Sequence, residues 1–304
     1  MNNVYVRSKK SIYHISLMRI LLLIPLILYG IYKNGIFLFV HKYTNVYGLF
    51  RPLIFIIGGA FIGAIINIFY EYVINKKNNN NPTLKEVLFS SFHIEYGIIL
   101  GCFTSINTNM LVFYLTLSIV FLLSKFFKNR VNTICVCFII IYAIQSLVIK
   151  NFNYMNVYEL NKLFEYNILD YIIGKNVGGI ACTNILINIL VFILLAVTNN
   201  TKTSIGVLSM ITSFLLFSLY CMIANINIGN VYFQYGYIFA FTFIATDYVT
   251  SSYTVLGMRI YGILVGVLTF AFYFINPVLA PILAILITSF LNNLIDRANK
   301  IFKK

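Results

Sequence analysis

The sequence predicts an all-α, polytopic integral membrane protein, about ten transmembrane helices forming two inverted five-helix repeats with broken helices. Three observations carry that reading. Hydrophobic side chains make up 60% of the 304 residues and charged ones only 10%, against roughly half and a quarter in an ordinary soluble domain. Apolar runs long enough to cross about 30 Å of hydrocarbon recur along the whole chain. Two of them end in polar patches and resemble each other: IEYGIILGCFTSINT (Ile94 to Thr108) and FQYGYIFAFTFIATD (Phe233 to Asp247), which align Tyr96-Gly97 with Tyr235-Gly236. Five spans separate the pair, an odd number, so the two segments enter the membrane from opposite sides.

The elements follow in order. The first apolar run, Ile15 to Tyr32, comes after Arg7, Lys9 and Lys10 like a secretory signal, but no small-residue cleavage site follows it, only Lys33 and Asn34. It reads as a retained span. Spans are expected at 15–33, 52–75, 86–106, 109–127, 131–150, 179–199, 203–225, 231–248, 256–275 and 277–296. Residues 1–150 then form the first membrane half, 151–178 an outward connecting loop with Glu159, Glu165 and Asp170, and 179–304 the second half. The asparagine run Asn78 to Asn81 before Pro82 reads as a solvated loop. With a cytoplasmic amino terminus, fifteen Lys and Arg side chains fall inside and six outside, leaving Arg19 within a span. The positive-inside rule therefore puts both termini in the cytoplasm of a multi-pass protein of the cell membrane.

Charge and cysteine usage narrow the partners. The 22 basic residues against 8 acidic ones fit loops facing an anionic leaflet, so the bilayer is the partner implied and nucleic acid is not. The five cysteines all lie inside apolar runs, with no CxxC pair, and a disulfide framework is not expected. Cys135 and Cys137 stand about 200° apart on a helix and cannot both face one metal. Cys102 and Cys182 fall near the polar breaks of different halves and can meet there. No phosphate loop, dinucleotide fingerprint, zinc spacing or nucleophile elbow occurs in a suitable context, which argues against a self-contained enzyme of the soluble type.

The most informative stretch runs from Phe243 to Phe270. Thr246 and Asp247 end an apolar span, then come Thr250, Ser251, Ser252 and Thr254, then Gly257, Gly262 and Gly266. Hydroxyls and freed backbone groups after an interrupted helix can bind a phosphate, a ribityl chain or an ion. Equally, Asp247 and the hydroxyls can be helix caps, and the glycines a means of close helix packing. Both readings stand on the sequence. His93 and Glu95, two residues apart near the start of the third span, point to different helix faces, and a proton relay through them needs partners from other elements. Glu71 reads as a snorkelling or paired carboxylate.

The Asp247 segment resembles that of the D subunit of the Rnf electron-transport complex and the B subunit of the sodium-pumping NADH:quinone oxidoreductase, where T-D-P-V-T-S-P-x-T precedes G-R and a glycine-rich helix. This chain keeps Thr246, Asp247, Val249, Thr250, Ser251, Thr254 and Gly257, has Arg259 one position late, and ends with Asn292 and Asp296-Arg297 much as that family does. Tyr248 and Ser252 replace both prolines. Weaker likeness extends upstream through Glu71-Tyr72, Tyr96-Gly97 to Asn109, Lys125, Asn129 to Asn132, and Gly178 to Asn184.

The resemblance implies a membrane subunit passing electrons across the bilayer by way of flavin, among other subunits of a redox complex, with Na+ or H+ movement as the coupled work. Asp247, Thr246, Thr250, Ser251 and Thr254 would line the cofactor site, and Thr104, Ser105 and Asn107 at the opposing break would complete it. Family members attach FMN through the threonine of an S-G-A-T segment in the outward loop. This chain has no serine or threonine between Asn151 and Gly178, so no covalent FMN is expected there and the flavin, FMN or riboflavin, would be noncovalent. The alternatives are a small-solute transporter or channel on the same scaffold without redox activity, and a structural anchor for a redox partner.

Overall fold

The computed structural model describes residues 11–74, 84–126, 131–149, 154 and 167–301. Most of the basic loop residues, Asn78 to Asn81, Glu159 and Glu165 lie outside them. The described chain is built of helices: α1 (Ile12–Ile31), α2 (Phe37–Val40), α3 (Val46–Phe69), α4 (Leu84–Leu88), α5 (His93–Phe103), α6 (Met110–Phe126), α7 (Thr133–Ala143), α8 (Ile168–Ile173), α9 (Ile185–Val197), α10 (Thr203–Ala224), α11 (Tyr237–Phe239), α12 (Val255–Tyr273) and α13 (Ala280–Ile301). Among the described residues, four helical stretches are long and apolar enough to cross a membrane: 12–40, 46–72, 203–224 and 255–273.

The first of these carries α1 through a π-turn at Tyr32–Ile36 into α2. Its 29 residues reach about 43 Å at 1.5 Å per residue, longer than the 15–33 expected. The third and eighth expected spans are shorter than the sequence suggests. Residues 86–106 divide into α4 and an eleven-residue α5, which spans about 16 Å, roughly half the hydrocarbon. Residues 231–248 yield only α11 and a π-turn at Ala240–Ile244. Beyond each, the chain runs without helix through 104–109 and 245–254. Irregular backbone survives at membrane depth only when protein surrounds it, and Thr104, Ser105, Thr246, Asp247, Ser251 and Ser252 are all buried.

Local sequence sets these boundaries. Asn132 caps α7 by accepting from the amides of Ile134 and Cys135 at 3.1 and 3.2 Å. Asn184 caps α9 through Ile187 N at 2.9 Å, and Thr254 caps α12 through Gly257 N at 3.1 Å. α5 lies backbone to backbone on α3 at Gly97 and Gly59, where a Cβ on either would run into the other's carbonyl. The aligned Tyr-Gly pairs differ in conformation: Tyr96-Gly97 is helical, whereas Tyr235 (φ 59°) and Gly236 (φ 72°) form a left-handed turn leading into α11. In the connecting loop, Asp170 opens α8 by accepting from Asn167 N at 3.2 Å and binds Lys175 Nζ at 2.8 Å.

Candidate functional site

The break after α11 is organised around one carboxylate. Asp247 is 2% exposed; its Oδ2 accepts from the amide and hydroxyl of Thr250 at 3.1 and 2.7 Å, and its Oδ1 accepts from the Tyr96 hydroxyl of α5 at 2.7 Å. Asn132 reaches in from the start of α7, donating to Ile244 O and Thr250 Oγ1 at 3.1 Å each. Asn292 of α13 donates to Thr250 O at 2.9 Å. Lys202, 8% exposed, places its ammonium on Tyr248 O, Ser251 O and Ser251 Oγ at 3.1, 3.0 and 2.8 Å, 4.2 Å from the Tyr253 ring centroid. Asp296 accepts from the Ser252 hydroxyl and, at 3.0 Å, from the Thr254 hydroxyl. Five side chains from four elements, α5, α7, α13 and the start of α10, thus hold one turn.

A buried ion pair lies behind it. Arg19 of α1 and Glu95 of α5 are 1% and 0% exposed, with Nε and Oε1 2.8 Å apart. The two atoms are poorly aligned for a directed hydrogen bond, so charge holds the pair more than geometry does. Arg19 Nη2 also donates to Phe243 O at 2.5 Å, on the π-turn of the broken helix, and the guanidinium sits 5.9 Å from the Phe243 ring centroid. Ser16 lies beside the carboxylate. The first span is thereby tied to the last residues before the Asp247 turn.

Beside Tyr96 and Thr250 opens a cavity of about 360 Å³, with Ser91, His93, Ser124 and Thr133 supplying its other polar groups. Its walls are mostly apolar. Of the eight residues the sequence singles out for the site, Thr250 alone lines this cavity, and Asp247 stands one hydrogen bond behind Thr250 and Tyr96. The hydroxyls of Thr246 and Ser251 turn back onto Thr242 O and Asp247 O, and Thr254 is a helix cap, as the plainer reading of the segment holds.

Thr104 and Asn107 lie elsewhere. Thr104 ends α5 eight residues after Tyr96, about 12 Å along the axis, so the two breaks sit at opposite ends of α5 and do not enclose one pocket. Thr104 Oγ1 donates to Leu100 O at 2.7 Å, and Asn107 N to Ser105 Oγ at 3.2 Å. The segment before α9 packs on this break through Ile180 N to Thr104 O at 3.0 Å and Ala181 N to Cys102 O at 2.8 Å. Cys102 and Cys182 are accordingly neighbours, both buried. Lys33, 1% exposed, holds this region as Lys202 holds the other, donating to Gly174 O, Asn176 O and Thr183 Oγ1 at 2.8, 2.6 and 3.2 Å.

Sequence reasoning left Arg19, Lys33 and Lys202 unassigned. A signal existed for Arg19 and Glu95, since two opposite charges inside apolar runs call for pairing. None existed for the lysines, whose acceptors are mostly backbone carbonyls.

Interrupted helices, buried charges tied to the breaks, and a mostly apolar cavity with a few hydroxyls beside them define the class, a polytopic membrane protein with broken helices. A sequence model described as the NQR2, RnfD, RnfE family matches residues 1–303, and the chain belongs to that family of membrane subunits of multi-subunit electron-transport complexes. No curated protein matches it.

Proposed function

We propose that the chain is a divergent D-type membrane subunit of an Rnf-like complex that passes electrons across the bilayer and couples them to Na+ or H+ movement. Its cavity beside Tyr96 and Thr250 is the site of a noncovalent flavin, FMN or riboflavin. One observation carries this: the cavity opens onto the tyrosine and threonine that bind Asp247, the centre of the family-like segment. Its volume of about 360 Å³ falls within the range of about 300–1,000 Å³ usual for small-molecule sites. Apolar walls with Phe92 and Tyr96 suit a ring system, and the hydroxyls of Ser91, Ser124, Thr133 and Thr250 suit a polyol chain. A flavin bound there would supply reversible electron transfer. Asp247 and Asn132 would hold Tyr96 and Thr250 in place against it. The two halves, 1–150 and 179–304, act as inverted partners in this reading, with the membrane of the cell as the setting and both termini cytoplasmic.

The test is an absorption and mass spectrum of protein extracted in mild detergent. A flavin released on denaturation from a chain of unmodified mass, lost in Asp247→Asn, supports the reading; no flavin and no co-purifying subunits overturns it. A solute transporter or channel is the second reading, favoured by the absence of any flavin-acceptor hydroxyl in residues 151–178.

A further inference from the structure

The cavity wall contains a histidine whose hydrogen bonds fix its tautomer. Asn67 Nδ2 donates to Leu88 O at 2.7 Å, which turns Asn67 Oδ1 toward Ser91 Oγ at 2.6 Å. The one Ser91 proton is therefore committed to Asn67. His93 Nδ1 also bonds Ser91 Oγ, and must do so as the donor. A neutral ring then carries a lone pair at Nε2, facing Ser124 Oγ at 2.8 Å. The Ser124 proton has two takers at equal distance, since Phe121 O also lies 2.8 Å from Ser124 Oγ.

From this arrangement we propose that His93 is the proton acceptor of the cavity, held as the Nδ1–H tautomer, its Nε2 opened to a proton by rotation of the Ser124 hydroxyl. In the neutral state Ser124 donates to Nε2. When a proton arrives, Nε2–H donates to Ser124 Oγ and the hydroxyl swings to Phe121 O. No buried polar group loses its partner in either state, so the hydrogen bonding changes by one hydroxyl rotation and the cost that remains is that of a positive charge on a buried ring.

The surroundings indicate what drives it. Lys125, next to Ser124, acts on His93 as a like charge; its ammonium sits 4.8 Å from the Tyr70 ring centroid and interacts with Glu71. From the other side come Tyr96, its ring 6.1 Å away, and Asp247 behind it. Glu95 occupies another face of α5. Burial first, and Lys125 beside it, oppose a positive charge on the ring, so His93 takes its proton when a ligand brings negative charge into the cavity. The ligand class is an anion, or a ring that becomes anionic on accepting electrons from a redox partner. One proton enters from water and offsets one unit of the negative charge that the ligand brings. Identifying that ligand as a flavin rests on the function proposed above; the tautomer and the Ser124 rotation do not.

The sequence has three histidines, His14, His41 and His93, so imidazole-labelled protein gives three sets of nitrogen resonances, assigned with His93→Gln. We expect His93 to be protonated at Nδ1 and bare at Nε2. Ser124→Ala should lower its proton affinity about tenfold, because a hydrogen bond to a charged group is worth more than one to a neutral group. Calorimetric titration with FMN in two buffers of different protonation heat should show uptake of about one proton per FMN, absent in His93→Gln, and none with uncharged riboflavin. An Nε2–H tautomer, an unchanged affinity in Ser124→Ala, or equal uptake in His93→Gln overturns the proposal. If no flavin binds, the flavin reading fails by itself and the nitrogen spectra still decide the role of His93.

Discussion

Removing one partner of the Arg19–Glu95 pair tests how α1 is joined to α5. Glu95→Gln keeps the shape and deletes the charge. It leaves a guanidinium at 1% exposure with Phe243 O and a ring face as its remaining support, and a guanidinium cannot shed its proton. Breaking a buried pair in this way costs about 3–5 kcal/mol. Arg19→Met strands a carboxylate instead, and a carboxylate can escape by taking up a proton. With an ordinary glutamate at about 4.3 and 1.36 kcal/mol per pH unit, that escape costs about 4 kcal/mol at pH 7 and about 1 kcal/mol at pH 5. The sign follows: the Arg19→Met penalty shrinks as pH falls from 7 to 5, whereas the Glu95→Gln penalty holds steady. Combining the two should cost less than their sum by about 2 kcal/mol or more, because neither charge is then stranded. The assay is unfolding in detergent for wild type, both single variants and the double variant at the two pH values. Additivity within half a kcal/mol, about the scatter of independent sites, or parallel behaviour of the two single variants with pH, would refute the assignment of a coupled buried pair.

Two further outcomes follow from the other buried and loop charges. Lys202→Met removes the ammonium from two carbonyls and a hydroxyl of the Asp247 turn; we expect a loss of about 2 kcal/mol or more and faster proteolysis between residues 248 and 253, with no change if the lysine merely rests there. In the connecting loop, the Lys175 ammonium and the Asn167 amide hold the Asp170 carboxyl below its ordinary range. A lowered carboxyl stabilises above its unfolded value, about 3.9, and loses that contribution as pH falls through the folded one, so α8 should fray only in acid, and in Asp170→Asn at every pH, by solution NMR of residues 168–173.

Much of this was legible in the residues, for physical reasons. Lipid demands apolar length, so spans such as 203–225 appear nearly unchanged as α10. At 86–106 and 231–248 the polar patches pointed to interrupted helices, but composition did not say how short the helices would be, because tyrosine, phenylalanine and glycine are equally at home in a helix at depth and in a turn wrapped by protein. The Asp247 segment announced itself by its hydroxyls, yet most of those hydroxyls face inward to hold the turn. The groups that line the cavity, Ser91, His93, Ser124 and Thr133, come from three separate places in the sequence, and only packing of α5, α6 and α7 brings them together. Thr104 and Asn107 seemed on paper to answer Asp247, but the length of α5 keeps them apart.

The partners of the first span are made late. Arg19 meets Glu95 within the first half but reaches its carbonyl acceptor, Phe243 O, only 224 residues downstream, and Lys33 has acceptors 141 to 150 residues downstream. A lone cation near the middle of a bilayer helix weighs against insertion by about 2.5–3.5 kcal/mol. Full seating of the first span is therefore expected only once residues 174 to 183 have been made. A ribosome stalled before residue 174 should leave Lys33 without these acceptors, so completion of the first span depends on residues from the second half of the chain.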